Sequence, residues 1–142
     1  MTTLLIPVDG SDYSLKAVDY AITRASQCRS PLEVHLLNAQ MAMTSLNVKL
    51  FISAESLDSF YRDEGHRALE ASLARAKTAG LNVIPHIGVG DPAALILEYA
   101  TAKKADEIVM GTHGRGALTG AFLGSVAQKV VHGALVPVVL VK

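Results

Sequence analysis

The chain of 142 residues is half apolar, carries 18% charged residues and has a formal net charge of zero. This composition excludes a disordered chain and predicts one domain over residues 1–142, which buries about 70% of its unfolded surface. The absence of a basic stripe argues against nucleic acid as a partner, and no apolar run reaches the roughly 20 residues of a membrane span. The opening MTTLLIPVDG lacks the features of a signal peptide and Cys28 is a lone cysteine, so we expect a cytoplasmic protein.

The first elements follow from a simple apolar pattern. Leu4–Val8 is a continuous apolar run, which is typical of a strand buried on both faces of a parallel sheet. In the turn that follows, Ser11 or Asp12 can cap a helix over about 13–27. A second apolar run predicts a strand over 32–37.

The segment 39–54 has no clear helical stripe. Apolar residues alternate with polar ones there, which locally resembles a strand: Leu46, Val48, Leu50 and Ile52. The segment is also longer than most loops of compact domains. We predict an irregular or partly mobile excursion near the sheet edge, with a lid as one candidate role, rather than a sixth strand.

The middle of the chain predicts helix, strand and helix. Ser56 can cap a long helix that ends at Gly80, and the apolar run 81–87 predicts a third strand. Asp91 is then placed to cap a helix over about 93–103, with proline at its first position.

The last third predicts strand, glycine-rich loop, helix and strand. Residues 108–110 form a short apolar strand, a helix follows over 125–133, and Val136–Val141 closes the chain. Five strands thus alternate with four helices. Such alternation indicates an α/β fold, an open parallel sheet with helices on both faces.

The loop after the fourth strand is rich in glycine: Gly111, Gly114, Gly116, Gly120 and Gly124. Bare backbone before a helix N-terminus can cradle a phosphate. Asp9 ends the first strand, and if the first and fourth strands are neighbours its carboxylate faces this loop and can accept hydrogen bonds from ribose hydroxyls. Alternatively, the loop is only a tight connection and Asp9 only a helix cap.

A few other side chains are candidates for phosphate binding or catalysis. His113 and Arg115 lie in the glycine loop and can reach a phosphate, or are ordinary solvated side chains. Ser125 is better explained as a helix cap than as a nucleophile, because no paired base is evident. The chain has no P-loop lysine motif, no dinucleotide fingerprint after its first strand and no histidine spacing typical of a metal site, so we predict no catalytic or metal-ligating residue.

The spacing Gly111-x2-Gly114-x9-Gly124-Ser125 resembles the ATP-binding signature of the universal stress proteins. The opening LLIPVDGS, the turn at 88–93 and the ending VPVVLVK match the family as well. The resemblance implies a Rossmann-like sheet in the order 3-2-1-4-5, of the adenine nucleotide alpha hydrolase-like kind. It also implies ATP (or ADP or AMP) as ligand and a homodimer joined through the strand Val136–Val141. On charge grounds we expect Mg²⁺ with the nucleotide, since Arg115 alone cannot offset a triphosphate.

The resemblance further implies a role for each matching position. Pro7 and Asp9 would line the adenosine, Ala39 would meet the adenine through its backbone, and Met110 and Gly111 would flank the ribose. Phosphates would be bound by main-chain N–H groups and one hydroxyl, from Gly114, Gly124, Ser125 and Val126.

Three functions remain open at this stage. The first is an ATP-binding regulatory module of the universal stress response, with slow hydrolysis or none. The second is a slow ATPase in which His113 or Asp9 assists water or metal. The third is a nucleotide-free interaction dimer, whose valine-rich edge strand pairs with a second copy.

Overall fold

The computed structural model describes residues 1–114 and 122–142. One five-stranded sheet runs through the molecule in the order β3-β2-β1-β4-β5, and all four pairings are parallel. Its strands are β1 Thr2–Pro7, β2 Leu32–Met41, β3 Val83–Gly90, β4 Glu107–Gly111 and β5 Val138–Val141. The predicted sheet and its 3-2-1-4-5 order are therefore confirmed.

Helices cover both faces of the sheet, as the alternation of elements predicts. They are α1 Asp12–Gln27, α2 Leu46–Phe51, α3 Ala54–Thr78, α4 Pro92–Ala102 and α5 Ser125–Gly133. Ser11 caps α1 by accepting a hydrogen bond from the Ser14 N–H, and Asp91 caps α4 by accepting one from the Ala94 N–H.

Two apolar cores lie on opposite faces of the sheet because successive strand residues point in opposite directions. On one face, Leu4 and Ile6 of β1 pack with α1 and α3. On the other, Leu5 of β1 and Met110 of β4 pack with α4 and α5. The central strands are buried on both faces, which explains their continuous apolar sequence.

The segment 39–54 is more regular than the sequence predicts. Strand β2 continues to Met41 because it pairs with β3 as far as Gly90, a contact that is remote in sequence. Residues 46–51 form helix α2, so the irregular excursion is a wrong prediction and the described helices number five. No residue of α2 is buried, and its apolar side chains therefore leave no inward-facing stripe in the sequence.

Two predicted boundaries also need correction. Ser53, not Ser56, caps α3, and its hydroxyl accepts a hydrogen bond from the Ser56 N–H. Strand β5 begins at Val138 rather than Val136, since Pro137 has no N–H and contributes only its carbonyl, to Ile108. Gly80, after α3, has φ +71°, a left-handed conformation that suits the predicted glycine at a helix end.

Polar contacts fix the short strand β4 beside β1 and α1. Thr3 and Asp106 exchange two hydrogen bonds of 2.8 Å, in which Asp106 uses its N–H and a carboxylate oxygen. Arg24 of α1 forms a bidentate ion pair with Glu107, with Nη2 at 2.8 Å from Oε1. Hydrogen bonding to Glu107 raises the pKa of Arg24 above its usual range. These contacts fix the position at which β4 begins beside β1.

Within residues 1–114 and 122–142, none of the helices combines the length and the apolar character that a bilayer crossing requires.

Gly65 of α3 allows this helix to approach β3 closely. A Cβ atom there would lie 2.6–2.8 Å from three side-chain carbons of Ile87. We expect Gly65→Ala to lower the free energy of unfolding by about 1–2 kcal/mol, because overpacking outweighs the better helix propensity of alanine. Urea denaturation measures this change.

The control is the same substitution in an Ile87→Ala background, where the clash is absent. There we expect Gly65→Ala to be neutral or stabilising, so the two substitutions are strongly non-additive. An equal cost in both backgrounds would contradict the packing explanation.

Candidate functional site

A cavity of about 540 Å³ opens at the carboxyl ends of the central strands. This volume is typical of small-molecule sites. Its described lining includes ten residues that the sequence analysis selected: Pro7, Asp9, Ala39, Met110, Gly111, His113, Gly114, Gly124, Ser125 and Val126. The remaining predicted site residue, Arg115, lies outside the described residues.

The cavity lies where the strand order reverses. The neighbouring strands β1 and β4 are parallel, but β1 leads into α1 on one face of the sheet and β4 leads towards α5 on the other. The chain therefore diverges at their carboxyl ends and leaves a crevice between the two exits. This is the geometry that the predicted apposition of Asp9 and the glycine loop requires.

The Asp9 carboxylate is held by its own turn. Its Oδ1 accepts hydrogen bonds from the Ser11 N–H at 2.9 Å and from the Ser14 hydroxyl at 3.3 Å. Ser14 is buried, and Ser11 rather than Asp9 caps α1. The alternative interpretation of Asp9 as only a helix cap is therefore wrong.

Gly114 lies directly against Asp9 on the opposite wall. A Cβ atom on Gly114 would come within 2.3 Å of Asp9 Oδ2, so only glycine fits without displacing the carboxylate. Gly111 is bare for another reason, because a Cβ there would lie 2.6 Å from the Cβ of Tyr13 on α1. Gly114 thus leaves room for the Asp9 carboxylate, and Gly111 leaves room for the start of α1.

The N-terminus of α5 forms the floor of the cavity. Gly124 is its N-cap and makes no side-chain hydrogen bond, and Ser125 is the first helical residue, so the predicted Ser125 cap is wrong. The N–H groups of Ser125 and Val126 have no acceptor within the helix. The Gly124 N–H already donates to the Thr112 carbonyl at 2.8 Å, which removes it as a phosphate donor.

His113 lies between α1 and the cavity. Its Nδ1 is 3.0 Å from the Thr112 hydroxyl oxygen, and its ring centroid is 5.4 Å from that of Tyr13. These contacts fix the ring beside Gly114, at the polar end of the cavity.

Ala39 lies within β2, not after the second strand as the sequence predicts. The Leu37 carbonyl accepts from the Val8 N–H at 2.8 Å, where the pairing between β1 and β2 ends. Because main-chain groups two residues apart point the same way along a strand, the polar groups of Ala39 face the space beyond the end of β1. They can therefore meet a ligand.

Further lining residues were missed by the sequence analysis: Val8, Ser14, Leu37, Pro92, Ile96, Leu123, Ala127 and Gln128. The two-residue spacing of Leu37 from Ala39 is a signal that could have placed it on the same face. Pro92 and Ile96 come from α4, whose docking onto this face depends on remote contacts and leaves no local pattern.

The charge of the cavity is low. Of its described lining residues, Asp9 is the one carboxylate and none is lysine or arginine. Across residues 1–114 and 122–142, no three histidine, cysteine or acidic side chains are grouped so as to hold a metal ion.

A doubly wound α/β fold with a ligand-sized crevice at its switch point is thus established, and comparison with known proteins places it in a family. The sequence model of the universal stress protein family matches residues 1–142. Universal stress protein MJ0531 of Methanocaldococcus jannaschii is 36% identical over 139 residues, which span 98% of this chain and 81% of the relative. The chain belongs to the universal stress protein family.

Solved structures agree with this assignment. The structure of hypothetical protein MJ0577 has a TM-score of 0.82 and 27% identity, with 99% of this chain and 95% of that chain covered. A universal stress protein in complex with cAMP has a TM-score of 0.69 and 29% identity, with 99% and 97% covered.

The two cavity glycines provide a matched test of the wall geometry. We expect Gly111→Ala to lower the free energy of unfolding by about 1–3 kcal/mol, because its Cβ meets the fixed start of α1. Gly114→Ala should cost less, about 0.5–1 kcal/mol, because its Cβ meets only the far end of the Asp9 side chain, which can turn aside at the loss of its hydrogen bonds from Ser11 and Ser14. Urea denaturation of both variants checks the difference, and equal costs would refute it.

Proposed function

We propose that this protein is an ATP-binding regulatory module of the universal stress response, which holds an adenine nucleotide (ATP, or ADP or AMP) in the cavity described above. The observation that carries the proposal is that three features suited to a nucleotide line the same crevice. These are the fixed Asp9 carboxylate, the uncapped N-terminus of α5, and an apolar slot with main-chain polar groups at Ala39.

The apolar part of the cavity suits the adenosine. Leu37 and Ile96 offer flat apolar surface to a base, and the main chain of Ala39 can pair with its polar edge. Pro7, Met110 and Asp9 line the same cavity, and in the proposed complex the Asp9 carboxylate accepts hydrogen bonds from ribose hydroxyls.

The polar end suits phosphates. In the proposed complex, the N–H groups of Ser125 and Val126, the Ser125 hydroxyl and the Gly114 main chain donate to phosphate oxygens. Arg115 and His113 are further candidates for this end. Because the described lining carries no lysine or arginine, Mg²⁺ is the natural counter-charge for a triphosphate, and it would be held mainly by the nucleotide.

A relative supports the choice of ligand. The solved universal stress protein with 29% identity is in complex with cAMP, an adenine nucleotide. Binding rather than rapid turnover is the function that the site favours, because its described lining has a single carboxylate and no lysine near the phosphate end.

We also propose a homodimer joined through the C-terminal strand, residues Val136–Val141. Strand β5 lies at the edge of the sheet, and Leu140 within it and Leu135 before it are exposed. An apolar edge strand promotes association unless a partner covers it, and a two-fold axis closes both edges at once.

The exposed free thiol of Cys28 suits a reducing, cytoplasmic setting.

The nucleotide site is tested by exchanging one carboxylate. Asp9→Asn keeps the oxygen that accepts from Ser11 but loses the charge, so we expect the affinity for ATP to fall about tenfold, or 1.4 kcal/mol. Isothermal titration calorimetry with Mg-ATP measures it. Asp12→Asn is the matched control, because this aspartate lies three residues away but outside the cavity lining, and its affinity should equal that of the wild type. An equal loss in both variants, or no binding by the wild type, would overturn the proposal.

The dimer is tested at the exposed edge. Leu140→Lys places a charge on β5, so we expect a monomer in sedimentation velocity where the wild type is a dimer. Leu50→Lys, at a more exposed leucine of α2, is the control and should remain dimeric. A wild-type monomer, or a Leu140→Lys dimer, would contradict the proposed interface.

A further inference from the structure

Three polar side chains form a chain of contacts on the face of the sheet that carries the cavity. The ring of His35 is buried on β2, and its Nε2 is 2.9 Å from a carboxylate oxygen of Glu33. Its Nδ1 is 2.8 Å from Nε2 of His86 on β3, and the two rings stack with centroids 5.0 Å apart. The proposed nucleotide contacts do not use these groups.

When both rings are neutral and Glu33 is ionised, the contacts allow one arrangement of the ring protons. His35 donates from Nε2–H to the Glu33 carboxylate, so its Nδ1 is the acceptor in the neutral ring. His86 must then donate from its Nε2–H. The pair can take up one further proton and keep this hydrogen bond. With both rings charged, two N–H groups point at each other across 2.8 Å, and the contact must break.

The groups around the pair come from three elements. Strand β1 contributes Leu5, the neighbour of His35 in register, which is apolar. Helix α4 contributes Tyr99, whose ring lies edge-on to His86 at 5.5 Å, and the ammonium group of Lys103. Glu33 is the only carboxylate among these described neighbours, and it contacts His35 rather than His86. Protonation of His86 is therefore poorly compensated.

Two elements that carry or contact the pair, β2 and α4, also provide apolar lining residues of the cavity. On β2, His35 precedes Leu37 by two residues, and both side chains point to the same face. On α4, Tyr99 follows Ile96 by three residues, so the two lie on one side of the helix. Leu37 and Ile96 both line the cavity. Movement of the two rings therefore acts on β2 directly and on α4 through the Tyr99 contact, and in the proposed complex these two elements hold the base.

We propose that protonation of both rings of the His35–His86 pair in mildly acidic solution breaks their contact, loosens the packing of α4 on β2 and β3 and thereby weakens adenine-nucleotide binding. This inference rests on the proposed function and adds a regulation to it. The nucleotide site would release its ligand as the surrounding pH falls.

The direction of the stability change supports the inference. Burial, then the neighbouring His35, then Lys103, lower the pKa of His86 below its usual 6.5. Below pH 6.5 the unfolded chain then binds more protons than the folded protein, so the contribution of His86 to stability is complete above that pH. It is lost as the pH falls towards the folded-state pKa.

The experiment compares wild type, His86→Gln and His66→Gln. Glutamine at 86 can still donate to His35 but does not titrate, and His66 is an exposed histidine of α3 that serves as the matched control. Affinity for Mg-ATP is measured at about pH 7.5 and about pH 5.5, on either side of the usual histidine pKa. The phosphates of ATP also titrate near pH 6, but equally for all three proteins, so the comparison removes their effect.

We expect the wild type and His66→Gln to lose about three- to tenfold more affinity on acidification than His86→Gln, because only these two proteins carry the titrating ring at position 86. Urea denaturation without nucleotide should show the same order of pH dependence. Equal pH profiles for wild type and His86→Gln overturn the inference while leaving the proposed function intact. No ATP binding at neutral pH overturns the proposed function and the nucleotide coupling with it.

A second measurement covers the case in which His86→Gln does not fold. The imidazole signals of the wild type are titrated by NMR, with His66 as the internal reference. A His86 ring that titrates at or above the His66 ring overturns the inference, and one that titrates at clearly lower pH supports it.

Discussion

The structure depends on one topological constraint, the reversal of strand order between β1 and β4. These parallel neighbours send the chain to opposite faces of the sheet, so no connection can cover the space between their carboxyl ends. The strand topology alone therefore leaves a crevice, and the packing of the core is not interrupted. Strands β1 and β4 are anchored at their amino ends by the Thr3–Asp106 and Arg24–Glu107 contacts, which hold the two strands in register as they run to the crevice.

Within that frame, the site is defined as much by missing side chains as by present ones. Gly114 leaves room for the Asp9 carboxylate, and Gly111 leaves room for α1. Helix α5 begins without a side-chain cap, so the N–H groups of its first turn face the cavity instead of a serine or aspartate oxygen. These N–H groups and the dipole of α5 explain how a cavity can still suit an anionic ligand when its described lining has one carboxylate and no lysine or arginine.

The parts of the fold that the sequence predicted are those fixed by local physics. Continuous apolar runs placed the central strands, and Asp91 with Pro92 placed the start of α4. The errors arose where distant contacts decide. Strand β2 extends to Met41 only because β3 lies beside it, which leaves no local signal. Helix α2 keeps its apolar residues exposed, so its sequence shows a strand-like alternation instead of a helical stripe. In the site, glycines and Asp9 were predictable, whereas Ile96 depends on how α4 docks. The pairing of His35 with His86 is equally non-local, because the two lie 51 residues apart.

Universal stress protein membership and the crevice together make adenylate binding the central claim, and a crystal structure grown with Mg-ATP tests it most directly. The account predicts density for the base between Leu37 and Ile96, a ribose hydroxyl within hydrogen-bonding distance of Asp9, and phosphate oxygens on the N–H groups of Ser125 and Val126. Density for the nucleotide elsewhere on the surface, or a crevice that stays free of it at saturating ATP, would contradict the account.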